Sequence, residues 1–157
     1  MTRHFPRPHR HHGLPRWQRL LLYVTGVVLL LTGVGWLGVH YLLGAGAGEL
    51  PHPLEPWAMK LHGLAGFAAL FMIGVLAGAH IPQGWRMSGR HRWAPQRDTG
   101  LALTIATALL ALTGYLLYYF APEAQRPAIG WIHSGIGLAM TGTLLVHRRP
   151  KSRHPRN

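Results

Sequence analysis

The chain has 157 residues, enough for one domain, with 48% apolar residues, a net charge of +12 and no cysteine. Without cysteine there is no disulfide framework, no c-type haem attachment and no thiolate-held iron–sulfur cluster, so any cofactor must be held by histidine, methionine or oxygen. The apolar residues fall in blocks that lack a polar stripe, which sets the chain apart from a soluble domain built of amphipathic helices.

Residues 1–16 form a basic tail rich in Arg, His and Pro. Its histidines His4, His9, His11 and His12, like His91 and His154, read as solvated side chains, with metal collection by HRHH as the minor alternative. The first apolar run, 17–43, is followed by GAGAG, which resembles a cleavage site, but the run is longer than the about 7–15 residues of a signal-peptide core. Further runs cover 57–81, 99–120 and 128–146, each close to the ~20 residues that cross a bilayer core. The expected fold is all-α: a four-helix transmembrane bundle over 17–148, followed by a second basic tail at 149–157.

Charge orients the bundle. Of the 16 Lys and Arg residues, all but Lys60 and Arg126 lie before or at the very start of the first run, between the second and third, or after the fourth. The positive-inside rule then places both termini in the cytoplasm. The net charge is thus a topology signal that also attracts anionic lipids, and it does not imply nucleic acid. Trp17, Trp36, Trp57, Trp85 and Trp131 fall near the expected helix ends, where interfacial aromatic belts lie.

Two pairs of segments echo each other. LTG occurs at 31–33 and 112–114, and LHGLAG at 61–66 resembles IHSGIG at 132–137. If the two hairpins are related, the second and fourth helices run the same way, about an axis along the membrane normal. At about 100° per residue, the step from His62 to His80 closes on whole turns and that from His133 to His147 is about 40° short of doing so. Each pair therefore shares one face of its helix. His62 and His133 then lie near the outer surface, His80 and His147 near the inner one, and two imidazoles face each other at each level.

Paired imidazoles inside a bundle suit haem, whose iron takes a neutral nitrogen on each axial side while the porphyrin fills space that would otherwise strand a buried polar group. The expectation is two haems per chain, one near each face. Gly63, Gly66, Gly78, Gly130, Gly135 and Gly137 leave room for a flat macrocycle, or serve close helix packing. Lys60 and Arg126, the two outer cations, are candidates for pairing with haem propionates. Met59, Met72 and Met140 read as gap-fillers. The four acidic residues lie at surfaces or helix ends, and no catalytic triad or phosphate loop is visible.

Four apolar helices with LHG and a later GAH in the second, then IHSGIGL and LLVH in the fourth, resemble small bacterial b-type cytochromes. These include the cytochrome b561-like proteins and the cytochrome b subunits of formate dehydrogenases and hydrogenases. The resemblance covers about residues 17–148 and rests on histidine placement. It implies bis-histidine haem b, a bacterial inner-membrane location, electron exchange with quinone or quinol, and a separate redox partner subunit. Two departures stand out. His62 and His80 are ~27 Å apart along their helix against ~21 Å for His133 and His147, and His40, late in the first run, is an alternative to His62 as partner of His133. The rival readings are a Zn, Cu or Ni carrier or sensor with His40, His62 and His133 at one site, and a cofactor-free assembly subunit.

Overall fold

The computed structural model describes residues 15–78, 81–82, 86 and 94–148. It is all-helical: α1 (Arg16–Leu43), a single 3-10 turn at Ala45–Ala47, α2 (Leu54–Gly78), α3 (Ala94–Tyr119) and α4 (Arg126–His147). All four helices are long and apolar enough to cross a membrane. His80, expected to complete an inner histidine pair, lies outside the described residues.

Two helices start earlier than hydropathy alone suggests. α2 begins at Leu54, because Pro56 sits in its first turn, where a missing backbone N–H breaks no intrahelical bond. α3 begins at Ala94, so the helix runs on beyond its apolar stretch. In α4 a proline, Pro127, likewise occupies the first turn.

The helices form two antiparallel hairpins, α1 with α2 and α3 with α4, whose partners pack along their length. Between hairpins, α1 and α4 approach more sparsely. Ring contacts mark this seam: Tyr41 of α1 stacks on Trp131 of α4 with centroids 5.2 Å apart, and the Arg148 guanidinium lies 4.3 Å from the Tyr23 ring centre.

Among the described residues only Thr25, Gly44, Glu55, Ala65, Met72 and Ala121 are buried, and Met72 is the one large side chain fully enclosed. Large apolar side chains instead face outward all round, Phe67 and Tyr118 at about four-fifths exposure. A helix surface of this kind needs an apolar surrounding.

The α1–α2 turn depends on glycine at Gly48, whose φ of 87° lies in the left-handed region. Gly48→Ala should destabilise the fold by about 1 kcal/mol, read as a melting-point drop of roughly 2–4 °C for a chain of this size.

Candidate functional site

Three of the four described histidines within the apolar helices, His62, His133 and His147, are each received by a threonine on the neighbouring helix of the same hairpin. His62 of α2 meets Thr32 of α1, with Nδ1 and Oγ1 2.9 Å apart. His133 of α4 meets Thr113 of α3 at 2.8 Å, and His147 meets Thr99 at 2.8 Å. The second hairpin keeps strict register, since Thr113 to Thr99 and His133 to His147 are equal steps in opposite directions.

A glycine follows each of these threonines, and its missing side chain is where the imidazole lies. A Cβ added at Gly33 would sit 3.4 Å from Cε1 of His62; at Gly114 it would sit 3.4 Å from Cε1 of His133, and at Gly100 3.6 Å from Cε1 of His147. The two LTG segments visible in the sequence are therefore the receivers of the two histidines in LHG and IHS. Sequence reasoning noticed the echo but missed the pairing, for which Thr-Gly on one helix and His on the next was the available signal.

Hydrogen counting assigns the tautomer. Thr32 Oγ1 lies 2.6 Å from the Val28 carbonyl and Thr113 Oγ1 2.7 Å from the Leu109 carbonyl. With the single hydroxyl hydrogen given to the carbonyl, each threonine oxygen accepts from the ring, which assigns the N–H to Nδ1 of His62 and of His133. Nε2 then carries the lone pair available to a metal.

The two imidazoles meet across the seam between the hairpins, with ring centroids 6.2 Å apart and planes inclined by 67°. Two imidazoles that each bound one metal ion from opposite sides at ~2 Å would have ring centres roughly 6 Å apart.

His40 is occupied elsewhere. Its Nδ1 lies 2.9 Å from Oε2 of Glu55, its ring stacks on Trp36 at 4.5 Å, and Tyr41 meets it edge-on at 4.8 Å. Glu55 lies in the first turn of α2, among the acidic residues that sequence reasoning placed at surfaces or helix ends and gave no further role. It is buried, and Oε1 accepts the His52 backbone N–H at 3.0 Å. The carboxylate so fills the turn that a Cβ at Gly44 would collide with it. Gly44→Ala should therefore lower the melting point and detach Glu55 from His40, whereas alanine at Gly63, where a Cβ meets nothing within 4 Å, should do neither.

The two expected propionate partners make local contacts. Lys60 is exposed and its Nζ lies 4.7 Å from the centre of the Trp57 ring on its own helix. Arg126 donates to the Ala121 carbonyl at 3.4 Å, closing the α3–α4 turn. Among the described residues, no group of three or more His, Cys, Asp or Glu side chains is placed to hold a metal ion. The three-histidine arrangement of His40, His62 and His133 is thus not formed.

Comparison of the chain with protein-family models, with curated proteins and with solved structures gives no match.

Proposed function

We propose that this chain is a multi-pass b-type cytochrome of the bacterial inner membrane, holding haem b between His62 and His133 and passing electrons to or from quinone. The observation that carries this reading is the facing imidazole pair, 6.2 Å between ring centres, with each Nδ1 tied to its own hairpin and each Nε2 left free. Two protein ligands are enough for a porphyrin iron, which already has four equatorial nitrogens. A bare Zn, Cu or Ni ion needs more than two, and among the described residues no group of three or more His, Cys, Asp or Glu is placed to hold one.

Haem iron supplies reversible one-electron chemistry between its ferric and ferrous states. The chain's own contribution is to fix both ring orientations, to keep both imidazoles neutral ligands, and to surround them with apolar helices. His147, held by Thr99 as the other two are held, is the ligand proposed for a second haem at the far end of α4, with His80 as its partner.

The length and apolarity of the four helices support membrane insertion, and the bias of Lys and Arg to one side supports cytoplasmic termini. The His62–His133 site then lies near the outer face. The basic tails meet anionic lipid on the inner one, and a separate partner subunit would complete the electron path.

A reduced-minus-oxidised spectrum of the purified protein, with a pyridine haemochrome assay, tests the reading. The expected result is a low-spin b-type spectrum and two haems per chain. One haem would reject the inner site. None would reject the whole reading, and co-purifying Zn, Cu or Ni in its place would favour the carrier.

A further inference from the structure

We propose that Thr32 and Thr113 are positioning residues that set the redox potential of the site between the hairpins, and that Thr99 does the same for the site of His147. The proposal rests on the reading of these imidazoles as iron ligands and assigns a role to residues that touch no iron themselves.

A threonine inside a helix ordinarily turns its hydroxyl back on the carbonyl one turn earlier. Thr104, Thr141 and Thr143 do so here, at 2.9, 3.0 and 2.9 Å. Thr32 and Thr113 make the same bond and add a second, to an imidazole Nδ1. Thr141 shows that the dipeptide alone is not the device: Gly142 follows it, but a Cβ there would meet nothing within 4 Å. What distinguishes the receivers is a ring laid against the glycine and an N–H aimed at the hydroxyl.

Such a bond acts on a metal through the ring. An acceptor on Nδ1–H draws that proton outward and makes Nε2 a stronger donor. The hydroxyl is itself polarised by its donation to the carbonyl behind it, which strengthens it as an acceptor. A stronger nitrogen donor favours the more positive, ferric state and lowers the midpoint potential. The neutral threonine pulls less than a carboxylate would, so it gives the site an intermediate setting. His40, whose acceptor is the Glu55 carboxylate, is the contrasting case within this chain.

Helix adhesion is the competing explanation, because a hydroxyl–imidazole bond across an apolar hairpin also holds two helices together. Adhesion alone predicts loss of stability at an unmoved potential. The two roles therefore separate in a redox titration.

The experiment is a spectroscopic redox titration of the full chain in lipid vesicles, for the wild type and for Thr32→Val, Thr113→Val, Thr99→Val and Thr143→Val. Expected is a roughly tenfold rise in the ferrous-to-ferric ratio at fixed applied potential for Thr113→Val, an upward shift of about 59 mV for one electron. Thr32→Val should move the same component in the same direction. Thr99→Val should move only the other component, Thr143→Val neither, and serine at each receiving position should restore the wild-type values.

Unmoved potentials in Thr32→Val and Thr113→Val, with the low-spin spectrum intact, would overturn the proposal, as would an equal shift from Thr143→Val. If valine costs the protein its haem, Thr113→Ser is compared with Thr113→Ala, and equal potentials in that pair would overturn it as well. A wild type without haem would instead sink the functional reading beneath it, so the two failures are told apart by the first spectrum.

Discussion

His133→Ala is expected to remove the haem between the hairpins, and His62→Ala to do the same. Loss of a supporting hydrogen-bond partner typically costs a metal site roughly 10–100-fold in affinity, and loss of an axial ligand should cost more. His40 is bonded to Glu55 and stacked on Trp36, and the imidazole that meets His133 is that of His62. His40→Ala should accordingly leave the low-spin spectrum in place while loosening the α1–α2 turn. The measurement is haem per chain and the spectrum of each variant, with added imidazole as rescue. A wild-type spectrum from His133→Ala, or loss of that haem in His40→Ala with His62 intact, would reassign the ligand.

The second large effect is steric, and it is graded. Gly33→Ala or Gly114→Ala would bring a Cβ to 3.4 Å from the imidazole, ordinary contact, so alanine should bind haem nearly as the wild type does. Leucine at either position has further atoms that must enter the ring's place. Overpacking of this kind costs roughly 1–3 kcal/mol, and here the strain is relieved most readily by swinging the histidine off its threonine. Gly33→Leu and Gly114→Leu should therefore lose the site while folding. Full haem retention in both would show that the glycines serve only general packing.

How much of this was legible in the sequence depends on the kind of signal. Apolar runs mark what an apolar medium requires, so all four helices were visible, and α1 was placed to within a residue of its start. The starts of α2 and α3 were not, since a helix may continue through Pro56 or beyond the end of its apolar stretch without changing the pattern that hydropathy reads. That His133 and His147 share one face of α4 follows from helical period, but which threonine receives which histidine depends on antiparallel register, and that is set by the loops at 44–53 and 120–125. Lys60 illustrates the same limit from the other side. Two residues before His62 is near in the chain, yet about 200° around the helix, and its ammonium lies over Trp57. Glu55 was hidden for a further reason: its burial comes from a turn of glycines folding over it, and hydropathy has no symbol for that.

The sparse seam between the hairpins would give a cofactor bound as proposed a second role beyond electron transfer. Each hairpin is closed within itself by its own packing and its threonine–histidine bonds, while the halves meet at a few ring contacts. A group ligated from both sides would act as a rivet between two preformed leaves, and its binding energy would become cohesion of the whole by mass action. Assembly would then have a natural order on the proposed reading: two leaves would insert and close separately, and haem capture would make them one body.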